Sequence, residues 1–221
     1  MKPEITNVSV TKDSYECTLT VDCAVFGFQE SVLKLLLIKR TNNPYSGRWL
    51  LPGGMITEQQ TAEEAVDKVL LNLTGLQNIH QEQVRCYTAI DRHPIKRVVT
   101  ICYYGLINPE NHKIIKQKHV QGVEWFRIDE IPDLGFDHQQ LVKDALVRLK
   151  SNVEERLILG ELLPEKFTLT ELQELYEALL DKKLDRRNFR KKVLQKELLV
   201  NTNEKKAGAK GGPDLYTFKH S

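Results

Sequence analysis

Long apolar runs are missing from this 221-residue chain. Its greasiest stretch, VLKLLLIKR at 32–40, is interrupted by Lys34 and falls far short of the roughly 20 apolar residues that a membrane-spanning helix needs. The opening MKPEITNVSVTKDSYE has no apolar core segment, so no secretory signal is expected. Paired cysteines are missing too. Cys17, Cys23, Cys86 and Cys102 form no CxxC motif, and each lies in a strand-like stretch. Zinc and disulfides are therefore disfavoured, and buried free thiols in a reducing cytoplasm are expected. No internal repeat is visible. What is present is ordinary: 41% hydrophobic and 28% charged residues describe a globular chain with room for one large domain or two modest ones.

The charge is unevenly spread. Residues 182–221 hold 12 Lys and Arg against 4 Asp and Glu, which leaves 20 against 26 for the rest. A basic tail on an acidic body points to a polyanion-binding module attached to something else.

CTLTVDCAVFGF, the turn QES and VLKLLLIKR read as a β-hairpin, followed by the loop TNNPYSGRW. Thr61 and Glu64 form a capping box that opens a helix ending on Thr74-Gly75-Leu76. Strands are expected at QVRCYTAID, RVVTICYYGLI and GVEWFRI. IPDLGFDHQQLVKDALVRLK then reads as a loop entering a closing helix, and SNVEERLILGELLPEK as a linker with one short helix. In FTLTELQELYEALL, Thr168 caps with Glu171, and Phe167 and Leu172 are spaced as a hydrophobic staple. The turn DKKL follows. Asp185 caps the helix RRNFRKKVLQKEL, where Leu184 and Phe189 repeat the staple, and LLVNT and LYTFK flank a Lys/Gly-rich loop.

The stretch GGMITEQQTAEEAVDKVLLNLTGL, residues 53–76, resembles the Nudix box in its frame: Gly54, Leu70, Gly75 and Leu76 stand where that motif has glycine or apolar residues. Gln60 replaces its first glutamate and Lys68 its arginine. Val69, Asn72 and Leu73 share one helical face at the three positions where Nudix hydrolases carry metal-binding glutamates. A hard divalent cation needs several anionic oxygens. Two of these side chains have no donor atom and the third has one neutral carbonyl, so we expect no metal, no cofactor and no catalytic residues. Without a metal, a pyrophosphate loses charge neutralisation and an activated water. Glu58, Glu63, Glu64 and Asp67 are nearby acids, but the last three lie in the first turns of the helix, where acids suit the dipole.

A pocket can outlast catalysis. Lys39, Arg40, Arg48, Trp49, Asp91 and Arg92 fall on loop or strand-end segments around the expected cleft and are the candidate effector-binding residues. AIDRHP, RVVTICYYGLI and GFDH resemble segments of Nudix-related transcription regulators. That resemblance implies a domain that senses a small molecule, ADP-ribose or a sugar such as arabinose. The run AIDRHP…RVV…YYGLIN looks closer to the sugar-responsive members.

Helix, short turn, helix and a basic hairpin form the pattern of a winged helix-turn-helix. Phe189 and Val193 lie at i, i+4 and should pack inward, leaving Arg186, Arg187, Arg190 and Lys191 as a cationic surface. Asn188 is placed to reach a base edge. The wing would present Lys205, Lys206 and Lys210. RRNFRKKV and GGPDLY resemble the same regulators. RNA is disfavoured because no exposed aromatic stacking surface is evident.

The expectation is an α+β chain: a Nudix α/β/α sandwich with a mixed sheet over 1–152, then a winged helix-turn-helix over 153–221. It would be a non-catalytic, homodimeric, cytoplasmic regulator that binds double-stranded operator DNA and a small effector, with no membrane association. The competing readings are a metal-dependent hydrolase such as an ADP-ribose pyrophosphatase, and an interaction module whose basic tail docks on an acidic protein.

Overall fold

A computed structural model describes residues 16–155, 158–207 and 211–219. Its centre is β1 (Thr18–Gln29), which is buried without a break from Val21 to Phe28. Such continuous burial marks a strand covered on both faces. Val21, Cys23 and Val25 meet one helical layer, and Ala24, Phe26 and Phe28 meet the other. The turn to β2 (Val32–Arg40) is two residues long, with Glu30 at φ 54° and Ser31 at φ 60°. Both central residues are thus left-handed, as a twisted hairpin requires, without the glycine that usually relieves this conformation.

The hairpin pairs only from Phe26↔Leu35 to Gln29↔Val32, and the strands diverge beyond that point. Two short strands fill the gap: β3 (Trp49–Leu50) pairs with β2, and β4 (Gly53–Met55) pairs with β1. β5 (His80–Tyr87) lies antiparallel on β6 (Val98–Ile107), which runs parallel to β1 from Thr18 to Gly27. β7 (Val120–Arg127) covers the outer edge of β2. The sheet is mixed, as expected. β5 starts earlier than the reading placed it and stops at Tyr87, and β3 and β4 are too short to carry a periodic signal.

On one face lies α1 (Ala62–Thr74), with the Thr61–Glu64 capping box in place and Gly75 closing the helix at φ 78°. On the other lies α2 (His138–Glu155), seated through Leu141, Val142, Ala145 and Leu149. The boundary expected at residue 152 falls inside α2. Part of the segment expected to link the domains is packed: Leu159 and Leu162 of a 3-10 turn over Ile158–Leu162 are buried, as is Leu163.

The C-terminal unit contains α3 (Leu169–Leu180), α4 (Arg186–Gln195), β8 (Leu199–Lys205) and β9 (Asp214–Phe218). Both predicted caps are present. Thr168 and Glu171 form a reciprocal box, and Asp185 accepts from the Asn188 N–H at 2.9 Å. Phe167 joins the wing sheet by exchanging two backbone bonds with Tyr216. Leu172, Leu175, Leu179 and Phe189 share one continuous apolar cluster with the large sheet and α2. The two units are therefore fused through a common core. The expected burial of all four thiols is corrected: Cys23 and Cys102 are buried, but Cys17 and Cys86 are exposed.

Candidate functional site

The divergence of β1 and β2 opens a cleft of about 440 Å³, lined by Thr18, Thr20 and Asp22 of β1, Ile38 and Arg40 of β2, and the Gly53-Gly54 pair. Arg92, His93, Ile95 and Lys96 close it from the β5–β6 loop, and Phe136 and His138 from the approach to α2. The size is typical of a small-molecule site.

Its floor is polar and buried. Arg92, only 8% exposed, makes a two-pronged bond to Asp137, Nε to Oδ2 at 3.0 Å and Nη2 to Oδ1 at 2.8 Å. The same Nη2 lies 3.7 Å from Asp22 Oδ2, which accepts from Thr100 Oγ1 at 2.7 Å. His138 Nδ1 accepts the Leu51 N–H at 3.0 Å, so the ring proton sits on Nε2, 3.5 Å from Asp22 Oδ1. Burial holds the His138 imidazole below its ordinary value despite the nearby Asp22 and Asp137 carboxylates. His93 is held low by its own desolvation and by Lys96, Arg40 and Arg92; its Nδ1 accepts the Ile95 and Lys96 N–H groups, and its ring stacks on Phe136 at 5.2 Å.

Of the six effector residues expected from sequence, the cleft gathers Arg40 and Arg92. Arg40 is partly committed: its Nε donates to the carbonyls of Asn42 and Pro44 at 2.8 Å each, and its guanidinium lies 5.5 Å from the Phe136 ring. Lys39 and Trp49 alternate with Ile38 and Leu50 and so leave the cleft, with Trp49 edge-on to Phe126 and Lys39 over the indole. Arg48 and Asp91 are exposed and do not line it. Asp22, Lys96, Phe136 and His138 were not singled out from sequence. One signal was available for Asp22, an acid within the buried run VDCAVFGF.

On α1 the three positions that resemble a metal site serve packing. Val69 joins the α1-side core and lies so close to Gly54 that a Cβ there would come within 2.8 Å of Val69 Cγ2. Leu73 packs with Ile38, Leu50 and Val120, and Asn72 is exposed. Three of the four nearby acids are engaged elsewhere: Glu63 accepts from Tyr103 Oη at 2.8 Å, Glu64 from the Thr61 N–H, and Asp67 from Gln81. These residues do not fit a divalent metal, and among the described residues no three His, Cys, Asp or Glu side chains converge as ligands.

The second candidate surface is α4. Phe189 is buried, edge-on to Tyr176, and Val193 is half-buried, which turns Arg186, Arg187, Asn188 and Lys191 to solvent. Arg190 is half-buried beside Lys205 in a groove of about 240 Å³ between α4, the start of α3 and the wing, and its Nε has no hydrogen-bond partner among the described residues. Lys206 is less free than expected, since its Nζ lies 2.6 Å from Glu171 Oε1 in the α3 cap. Lys210 lies outside the described residues. The turn between the helices is fixed by Glu177, which accepts from Lys183, Gln173 and the Leu184 N–H; these bonds lower its carboxyl to about 2. Among the described residues, no helix is long and apolar enough to cross a membrane.

Two family profiles cover the chain: the NUDIX domain over residues 18–145 and the NrtR DNA-binding winged helix domain over 159–218. An ADPR responsive transcriptional repressor of Acinetobacter baylyi is 33% identical over 204 residues, which span 90% of this chain and 81% of that protein. Shewanella oneidensis NrtR, solved with a 27mer DNA, is 34% identical with a TM-score of 0.80, covering 91% of this chain and 93% of that one. The Nudix domain of the same protein, solved with ADP ribose, is 32% identical with a TM-score of 0.57, covering 63% of this chain and 92% of that one. The arabinose-type resemblance finds no support among these relatives. With both profiles matched in order and relatives aligned along nearly its whole length, the chain belongs to the NrtR family of transcriptional regulators, in which a Nudix domain precedes a DNA-binding winged helix.

Proposed function

We propose that this chain binds operator DNA as a homodimer through α4 and the wing, that ADP-ribose bound in the β1–β2 cleft changes operator affinity, and that ADP-ribose is not hydrolysed. The observation that carries the ligand reading is the cleft itself. It keeps a nucleotide-sized volume and a cationic mouth at Arg40 and Lys96, while Val69 and Leu73 fill the places from which a metal would be held. The relatives named for ADP-ribose support that ligand over a free sugar. The DNA reading rests on α4, where Arg186, Arg187, Asn188 and Lys191 stand exposed beside the wing's Lys205.

Regulation then requires only that the effector prefer one placement of the DNA-binding units. A coupling of about 1–3 kcal/mol suffices to change operator occupancy. The test combines two measurements on the full chain: fluorescence anisotropy with an operator duplex, with and without ADP-ribose, and product analysis after incubation with ADP-ribose and magnesium. A shift in DNA affinity with ADP-ribose recovered intact is the expected result. Metal-dependent release of AMP that Glu58→Gln abolishes would refute the non-catalytic reading. Glu64 is a poor probe, because it also closes the α1 cap.

A further inference from the structure

We propose that Asp22 makes the floor of the cleft a hydroxyl-reading subsite, which takes the terminal sugar of a sugar-linked diphosphate while the phosphates stay at the mouth. This rests on the ADP-ribose reading above and adds which end of the ligand goes deep and which group recognises it.

The argument starts from an incompletely satisfied carboxylate. Asp22 is 7% exposed, yet it lines the cleft. A carboxylate offers about four acceptor sites. Among the described residues it has one short donor, Thr100 Oγ1 at 2.7 Å, while Arg92 Nη2 and His138 Nε2 stand back at 3.7 and 3.5 Å. A buried acceptor without donors is costly, so the vacant lone pairs favour a ligand that brings its own hydrogens. Gly53 lets this carboxylate lie against the β4 backbone at the cleft: a Cβ there would come within 2.0 Å of Asp22 Oδ1.

Charge selects the kind of donor. Arg92 already supplies a buried cation beside Asp22, and its guanidinium is saturated on one edge by Asp137. A second cation would face that guanidinium at close range, and a phosphate would face the carboxylate. A neutral O–H meets neither objection. The anion-binding groups lie shallower: Lys96 is exposed and Arg40 half-buried, whereas Asp22, Arg92 and His138 are buried. Hydroxyls below and phosphates above therefore fix the direction in which the ligand enters.

Isothermal titration of the full chain with ADP-ribose and with ADP, which lacks the terminal sugar, tests this in wild type and Asp22→Asn. Asn keeps the size and an acceptor for Thr100 but turns the other oxygen into a donor. Wild type is expected to prefer ADP-ribose by about tenfold or more, the worth of one hydrogen bond to a charged group. Asp22→Asn should abolish that preference, so that ADP-ribose binds no more tightly than ADP does to the same variant. A preference that survives Asp22→Asn overturns the proposal. Equal affinity of wild type for both ligands also overturns it while leaving a nucleotide effector in place. Wild type that binds neither ligand removes the effector reading and this subsite together. If Asp22→Asn does not fold, wild type still decides: analogues lacking single hydroxyls on the terminal ribose must include one that binds about tenfold more weakly. If all bind as tightly as ADP-ribose, the floor does not read hydroxyls.

Discussion

Leu73 stands where a Nudix hydrolase carries a metal-binding glutamate, and it packs against Ile38, Leu50 and Val120. Leu73→Glu would place a carboxylate among apolar neighbours and is expected to destabilise the fold by about 1–3 kcal/mol, read as a lowered thermal midpoint. Unchanged stability would mean that the position is free to carry an acid. His138 provides a second test at this scale. Its folded value lies below the unfolded value of 6.5, because burial penalises the imidazolium. The unfolded chain therefore takes up the proton first. The stability tied to neutral His138 is complete above pH 6.5 and lost as pH falls through the folded value. Urea titrations between pH 7.5 and 5 should show this decline. His138→Gln, whose side-chain oxygen can accept the Leu51 N–H, should flatten it, leaving the share of His93, whose value is also lowered. An identical pH profile in the variant would place the titration elsewhere.

Within the elements, the winged unit depends on a few fixed points. α3 begins at the Thr168–Glu171 box, and Glu171 also holds Lys206 of the wing. Thr168→Ala should cost about 1 kcal/mol through the lost cap, measurable by denaturant unfolding. The lysines should contribute unequally to DNA binding. Lys191 is exposed on α4, while Lys206 is paired. If Lys191 neutralises a phosphate, Lys191→Ala lowers the magnitude of the salt slope by roughly 0.9. Lys206→Ala should change it less, and the reverse order would show that Glu171 releases Lys206 on the duplex. These elements were legible because their signals are local: caps three residues apart, staples around them, and apolar spacing at i, i+4. β3 and β4 were not, being two and three residues long and held only by the diverging hairpin. The cleft was half legible for the same reason. Arg40 and Arg92 announce themselves by charge, but Asp22 meets Thr100 across 78 positions, a partnership set by parallel pairing of β1 and β6 rather than by any spacing. Lys39 and Trp49 show the limit from the other side. They occupy the correct strands, but alternation turns them away from the cleft.

At the scale of the whole molecule, one hairpin spans from the cleft to the DNA-binding unit. Thr18, Thr20 and Asp22 at one end of β1, with Ile38 and Arg40 at the far end of β2, line the cleft. At the turn, Ser31 Oγ donates to Glu174 Oε2 of α3 at 2.7 Å, and Phe28 and Leu33 share a core with Leu172, Leu175 and Leu179. Leu159, Leu162 and Leu163, buried ahead of α3, anchor the start of the winged unit in the same core. A ligand that alters how far β1 and β2 diverge can therefore act on α3 through the hairpin. Such coupling is an equilibrium quantity, so it must be reciprocal: DNA should change ADP-ribose affinity by the same factor that ADP-ribose changes DNA affinity. Glu174→Ala removes the Ser31 contact without touching either binding surface. It should leave each binary affinity within about twofold and shrink the coupling factor, because an exposed hydrogen bond contributes only about 0.5–1.5 kcal/mol. Leu33→Ala, which loosens the packing beneath the turn, should shrink it further. Anisotropy titrations of the four combinations of ligand and DNA measure the factor in each protein. If both variants keep the wild-type factor, the coupling does not run through this hairpin.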